Sequence, residues 1–412
     1  MKVLIFSFYY QPDLCAGSFR CTALVEQLSP LVTEIEVITT MPNRYASFGV
    51  DAPPVERNGN VTVRRIPLPA HKSGMFDQMK AFITYCRAAL GLVSGKQYDI
   101  VFSTSSRLFT AFLGAIVASR SKTPLYLDIR DIFVDTLNDV LSPKILWLAG
   151  PVTSIVEHFT FSRAERINLV SKGFSVYFQK RYTTIEYRWF TNGIDDEFLR
   201  VVPDTIQRRG SNTEITILYA GNIGEGQGLH TIVPFLAKKL DTNVKFRIIG
   251  DGGRKQQLID ELENCNVKNV TLLPPVNREL LIAEYMNADV LFLHLNDYPA
   301  FKKVLPSKIF EYAASGKPIL AGVSGYSADF LTTEVNNCAV FYPSDTQQAV
   351  EAFAGLKLTT TPRTTFTEKY ARRAIMKAMA LDIVEFGSSN AGEVPIAYSP
   401  CDERRRVSYP KK

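Results

Sequence analysis

The chain has 412 residues, too many for one ordinary core and suited to two domains of about 150–200 residues each. Its 46% hydrophobic and 21% charged residues describe a folded globular protein and exclude general disorder. The net charge of +6 fits an anionic substrate or an anionic membrane surface, but it is too diffuse to support nucleic-acid binding.

The first apolar run, Val3 to Tyr10, is short and ends at Gln11-Pro12-Asp13 without a small-residue cleavage site. It reads as a buried first strand and not as a signal peptide. No stretch approaches the roughly 18 apolar residues that span a bilayer. The expected location is therefore cytoplasmic, with peripheral attachment to the cytoplasmic face of the membrane as the alternative. Six cysteines (Cys15, Cys21, Cys86, Cys265, Cys338 and Cys401) are far apart and show no zinc-ligand spacing, which predicts reduced thiols and no metal.

Short apolar runs then alternate with amphipathic segments. Strands are predicted at Val3–Tyr9, Glu36–Thr39, Val61–Ile66, Asp99–Ser103, Leu125–Asp128, Ile167–Val170 and Tyr187–Phe190. A second series follows at Ile215–Ala220, Val244–Ile249, Val270–Leu273, Val290–Leu295, Pro318–Ala321 and Ala339–Tyr342. Most lack polar alternation, as strands of a parallel sheet covered on both faces do. The repeated strand–helix units give an α/β class with two doubly wound halves. The join falls in the polar stretch around Thr191–Asn212, so the domains are expected at 1–196 and 213–364. Thr365 and Glu368 form a capping box that predicts a final helix over 365–387, closed by Gly387 and packing back on the first domain. Residues 388–412 read as a loose tail. The stretch 76–93 places Phe76, Met79, Ile83, Cys86, Leu90 and Val93 on one stripe, which suits a core-facing helix or a helix lying on a membrane.

Ligands of open parallel sheets bind beyond the carboxyl ends of the strands. After the first strand, Gly17 and Ser18 precede a helix expected from Phe19, whose amino end would attract a phosphate. The second half opens in Gly221-Asn222-Ile223-Gly224-Glu225-Gly226-Gln227-Gly228, where main-chain N–H groups can converge on an anion, although the spacing is not a clean dinucleotide fingerprint. The next strand ends in Gly250-Asp251-Gly252, a loop suited to a nucleotide edge. The richest segment runs from Phe301 to Pro318. Pro306 and Ser307 start a short helix there, and Lys308 and Glu311 share one face near its amino end. A lysine at that end opposes the helix dipole unless an anion offsets it.

That segment resembles the nucleotide-sugar signature of retaining GT-B glycosyltransferases of family 4, among them bacterial enzymes of O-antigen, capsule and lipopolysaccharide synthesis, including a fucosamine-transferase-like branch. The supporting pieces occur in the family's order to about residue 385: Gly17-Ser18, Asp128-Ile129-Arg130-Asp131, Ser171-Lys172-Gly173, Asn192-Gly193-Ile194-Asp195, Gly221-Asn222, Gly250-Asp251-Gly252, and Pro306-Ser307-Lys308-Ile309 with Glu311. The resemblance implies a GT-B fold and an acceptor-side N-terminal domain. It also implies metal-independent hexosyl transfer without a cofactor. The donor would be a nucleotide diphosphate sugar, UDP-linked and carrying an N-acetylated deoxyamino sugar such as fucosamine. The acceptor would be a glycan or a polyprenyl-diphosphate-linked saccharide.

By the same resemblance Glu311 binds the ribose, and an acid at Asp131 or Asp128 lies in the catalytic region between the domains. Three positions depart from the pattern. Lys303 replaces a glutamate expected to touch the donor sugar, while Asn222 and Gln227 stand where two pyrophosphate-binding cations are usual. Lys308, with Lys302 or Lys303, is expected to supply the missing positive charge. Two rival readings are a non-hydrolysing nucleotide-sugar epimerase, which would need histidines converging on the sugar, and an inactive partner subunit that kept the fold.

Overall fold

The computed structural model describes residues 1–42, 52–69, 75–105, 108–132, 143–200 and 214–390. The connector Pro203–Ser211 and the part of the expected tail beyond Asn390 lie outside them. The first sheet comprises β1 (Lys2–Phe6), β2 (Glu34–Thr40), β3 (Val55–Asn58), β4 (Val61–Ile66), β5 (Ile100–Thr104), β6 (Leu125–Ile129), β7 (Arg166–Leu169) and β8 (Glu186–Arg188), in the order β3-β4-β2-β1-β5-β6-β7-β8. The second comprises β9 (Ile215–Asn222), β10 (Val244–Asp251), β11 (Val270–Leu273), β12 (Val290–His294), β13 (Ile319–Gly322) and β14 (Cys338–Phe341), in the order β11-β10-β9-β12-β13-β14.

Every pairing is parallel except β3 with β4. That antiparallel edge strand was not predicted, because its sequence Val-Glu-Arg-Asn is mostly polar. Its signal is the Asn58-Gly59 turn, where Gly59 has φ +58°. Both sheets reverse direction beside their first strand, at β1 between β2 and β5 and at β9 between β10 and β12. The loops leaving β1 and β9 therefore open at the two switch points.

On one face of the first sheet pack α2 (Met75–Val93), α3 (Leu108–Ser121), α4 (Pro143–Ser162) and α5 (Ser175–Arg181); the other is covered by α1 (Ala16–Leu28) and the last helix, α14 (Arg372–Asn390). The second sheet holds α7 (Leu229–Lys239), α8 (Lys255–Asn264) and α12 (Thr346–Ala354) on one face. On the other lie α6 (Asp196–Leu199), α9 (Arg278–Asn287), α10 (Lys308–Ala314), α11 (Tyr326–Glu334) and α13 (Thr364–Lys369). Ile194 and Phe198 are buried in this second core, so the chain enters the second domain just before the expected boundary at 196.

Three details differ from expectation. In α2 the buried face is Ala81, Tyr85, Ala89 and Val93, whereas Ile83 is exposed; the Tyr85 hydroxyl donates to Ile38 O at 2.9 Å, and the alanines allow the helix close to the sheet. The final helix is split into α13 and α14 at Tyr370–Ala371, where the chain crosses back to the first domain. Gly387 does not end it but lies inside α14, so residues 388–390 continue the helix. A Cβ there would sit 2.5 Å from Ile100 Cδ1 and Met1 Sδ, so glycine serves close packing.

α14 completes the first core through Met376, Met379, Ile383 and Phe386. The hydroxyl of Tyr126 donates to Asp382 at 2.8 Å, and Arg166 and Arg188 pair with the same carboxylate at 2.9 and 2.7 Å. At the crossings, Ile194 N donates to Tyr370 O and Arg372 N donates to Ile194 O, both at 2.8 Å. No helix among the described residues is long and apolar enough to cross a membrane.

Asp128 lies in the interior of the first domain, paired with Arg20 at 2.8 Å, both side chains nearly inaccessible. Asp128→Ala is expected to cost about 3–5 kcal/mol, because it strands the buried guanidinium, and to lower the urea midpoint accordingly. An unchanged midpoint would deny that pair its structural role.

Candidate active site

Between the two switch points lies a cleft of about 270 Å³. Its first-domain wall is Leu14, Cys15, Ala16 and Phe19. The opposite wall is built from the ends of β9 and β10, the loop before α9, and the start of α10. α1 begins at Ala16, earlier than the expected Phe19, so Gly17 and Ser18 belong to its first turn and are buried. Cys15 makes no side-chain cap, and this 13-residue helix directs its amino end and partial positive charge at the cleft. Ser18 faces a second cavity on the hinge side, and Gly17 is packed within the helix turn.

On the second wall, Gly221 and Gly250 pair across β9 and β10 with φ of +145° and +155°. A Cβ on Gly250 would lie 1.8 Å from Gly221 O, and one on Gly221 would lie 1.9 Å from Lys308 Nζ. The two glycines thus allow the strand ends to touch and leave room for the ammonium. Lys308 opens α10, its Nζ 5.0 Å from the centroid of the Tyr219 ring. It has no hydrogen-bond partner among the described residues. Burial in the cleft wall pushes its pKa down to about 8, with Glu311 opposing that shift. Glu311, one turn on, accepts a hydrogen bond from Tyr285 at 3.2 Å. Burial raises its pKa, and the guanidinium of Arg278 pulls it back.

The other expected donor-site residues separate into those that reach the cleft and those that do not. Asn222, Asp251 and Ser307 line it. Asn222 donates to Gln227 at 2.8 Å, so the two positions that depart from the family's cations bond to each other. Gly224 lies beneath that amide pair, and Gly252 packs on Ile223 O. Pro306 O accepts from Ile309 N at 3.2 Å to start α10, while the Ile309 side chain is fully buried in the core below.

Neither Lys302 nor Lys303 is among the cleft-lining residues. Residues 301–303 form a 3-10 turn that points both lysines elsewhere. Lys302 pairs with Asp297 at 3.0 Å; the Lys303 ammonium lies 5.4 Å from the centroid of the Tyr177 ring, and Lys303 O accepts from Ser171 at 2.6 Å.

The acid within β6 and the acid just after it also separate. Asp128 receives Arg20 Nη2 at 2.9 Å and Asn168 Nδ2 at 2.7 Å, in addition to the Nε bond, and is occupied in holding the fold. Asp131 is exposed at the end of the strand and is not among the cleft-lining residues.

Sequence reasoning missed Arg278 and Phe19. Arg278 is the first residue of α9, whose cap Asn277 accepts from Leu280 N at 2.9 Å; that Asn-Arg-Glu start was the available signal. The histidines do not gather here. His294 bonds Gln227 O through Nδ1 at 2.7 Å and accepts from Ser344 N at Nε2, so it is a neutral packing histidine, pushed down to about 4 by burial.

Residues 18–182 match the family described as Glycosyl transferase 4-like domain, and residues 203–373 match Glycosyl transferases group 1. The chain carries both domains of a GT-B glycosyltransferase. Over 416 residues it is 25% identical to WcaI of Escherichia coli (strain K12), covering 92% of this chain and 98% of that relative, whose name assigns it to colanic acid biosynthesis as a glycosyl transferase. Solved structures agree in fold across nearly the whole glycosyltransferase. Sucrose-phosphate synthase from Thermosynechococcus elongatus superposes with a TM-score of 0.70 at 14% identity, covering 94% of this chain and 99% of that one. Anabaena HepE, solved with UDP and glucose, gives 0.63 at 15% identity, covering 93% and 99%.

The lowered pKa of Lys308 sets a sign for anion binding by the transferase. The ammonium is present below about pH 8 and lost above it, so affinity for a nucleoside diphosphate should fall as pH rises through that value. Calorimetry from about pH 6.5 to 9.5 is expected to show the decline in wild type and a flat profile in Lys308→Arg. A flat wild-type profile would remove Lys308 from the anion site.

Proposed function

We propose that the chain transfers a sugar from a UDP-linked donor to a glycan or polyprenyl-diphosphate-linked acceptor in bacterial surface polysaccharide synthesis, with retention and without a metal. The observation that carries this reading is the Lys308 ammonium, set against Gly221 in the cleft wall opposite the amino end of α1, with Glu311 one turn away. The barrier to sugar transfer is dominated by negative charge developing on the departing diphosphate. A partly buried cation, main-chain N–H groups at the end of β9 and a helix amino end are fixed positive groups that would stabilise it without reorganisation. Glu311 would receive the ribose hydroxyls as a carboxylate, a state that the charge of Arg278 favours.

Three relatives support the cellular setting. WcaI is named for colanic acid biosynthesis, and WaaB and WaaG, structures at TM-scores of 0.59 and 0.61, are described as enzymes of lipopolysaccharide. HepE structures with UDP and with UDP-glucose support uracil as the base. The sugar pocket should differ from the family pattern, because Lys303 stands where a glutamate is usual and its side chain turns to Tyr177. An N-acetylated deoxyamino sugar is the donor expected from the sequence resemblance. The epimerase alternative finds no support in the cleft, since neither His230 nor His294 lines it.

A thermal-shift panel of nucleoside diphosphates and UDP-sugars, including UDP-linked deoxyamino sugars, tests the reading. A ligand at about 100 times its Kd should add about 2.7 kcal/mol of stability, and UDP compounds should lead the panel. Lys308→Ala is expected to lower transfer to extracted lipid acceptors by about 10²–10³-fold without lowering the melting temperature of the free protein. No response to any nucleoside diphosphate would sink the proposal, while UDP binding without transfer would favour the inactive partner subunit.

A further inference from the structure

Behind the donor cleft, on the hinge side, lies a second and larger cavity of about 810 Å³. Leu14, Phe19 and Arg278 line both cavities. Arg278 and Phe19 form the wall between them, and they come from different domains. The guanidinium of Arg278 lies 4.2 Å from the centroid of the Phe19 ring on α1 and 5.0 Å from that of Phe198 on α6. It also pairs with Asp195, which takes Arg372 on its other side, and its Nε lies 3.2 Å from Glu197. Asp195 and Arg372 stand at the two points where the chain crosses between domains, and those crossings are joined through Ile194. One side chain therefore touches the hinge, the facing domain and the electrostatic surroundings of Glu311.

We propose that Arg278 is a positioning residue that couples the hinge to the donor site, holding α1 against the second domain while its guanidinium lines the donor cleft. The physical basis is the guanidinium itself. Its edge hydrogen-bonds the hinge carboxylate of Asp195 and lies beside that of Glu197, leaving its flat face for the Phe19 ring, so it makes both contacts only when the domains stand at this separation. Opening the cleft pulls Phe19 away and removes the stacking. Binding of a diphosphate between α1 and Lys308 favours the same separation, so the two contacts reinforce each other. A lysine at the same place keeps the positive charge near Glu311 but has neither fork nor flat face.

The inference rests on the donor reading of the cleft, and the experiment keeps the two apart. UDP is the probe, with wild type, Arg278→Ala, Arg278→Lys and Phe19→Leu each studied as the full chain. Calorimetry gives the affinity for UDP, and small-angle X-ray scattering with and without saturating UDP gives the radius of gyration. Melting curves establish that each variant folds. Arg278→Ala is expected to weaken UDP by about tenfold and to give a larger radius than wild type. Arg278→Lys, which keeps the positive charge, should lose less UDP affinity than Arg278→Ala while keeping the larger radius, and Phe19→Leu, which removes the aromatic face but leaves the second domain intact, should also give the larger radius. A purely structural role would move melting temperatures and leave the split between Lys and Ala variants absent. Wild type that binds no nucleoside diphosphate overturns the functional reading. Wild type that binds UDP, with all variants equal to it in radius and affinity, overturns the role of Arg278. If Arg278→Ala does not fold, Arg278→Lys and Phe19→Leu decide the matter by their radii.

Discussion

The geometry of the cleft depends on one buried ion pair, Arg20 with Asp128. Arg20 rises from the middle of α1 and meets the carboxylate at the end of β6 through two hydrogen bonds, at 2.8 and 2.9 Å. The same guanidinium donates to the carbonyls of Phe190 and Thr191, at 2.7 and 2.6 Å, where the chain leaves the first domain. Asn168 completes the carboxylate's shell and also donates to Phe190 O, at 3.0 Å. Burying two charges costs several kcal/mol of desolvation, so the pair's value lies in fixing geometry more than in net stability. It sets the axis of α1 against the sheet and the start of the crossing segment at once. The amino end of α1, which forms one wall of the cleft, is thereby placed relative to the hinge.

A parallel economy governs the second wall. The ends of β9 and β10 approach closely enough that only glycine fits at Gly250, and the space left by the missing Cβ of Gly221 is filled by the Lys308 ammonium. One lysine thus occupies the position expected for several cations. Asn222 and Gln227 satisfy each other with a neutral hydrogen bond, which fixes the loop before α7 without adding charge. Lys302 and Lys303 instead fasten the 301–303 turn, one to Asp297 and the other against the first domain. Burial brings the Lys308 amine down to about 8, which makes its charge sensitive to pH.

The C-terminal helix explains why the domains form one mechanical system. After two crossings tied by backbone hydrogen bonds, α14 returns to the first domain and buries Met376, Met379, Ile383 and Phe386 against α1 and the sheet. Arg372 at its start reaches Asp195 in the other crossing. A change in domain separation must therefore pass through a small group of residues around Asp195, and the Arg278–Phe19 contact lies beside them.

The sequence by itself determined the class of fold, the position of thirteen of its strands, and the two glycine-bearing loops with the Lys308–Glu311 face. Apolar runs without alternation, glycines at strand ends and helix caps are local signals, and backbone sterics and burial act on them locally. The β3 edge escaped because a half-exposed edge strand carries little apolar pattern. Tertiary structure alone decided which charged residues line the cleft. Lys302, Lys303 and Lys308 are indistinguishable as residue types, and the turn at 301–303 separates them. Asp128 and Asp131 differ only in which meets a guanidinium 108 residues away in the chain. Arg278 and Phe19, far apart in sequence and in different domains, meet because two cores fix the hinge between them. The direction of a long side chain is set by neighbours distant in sequence, and no periodicity records it.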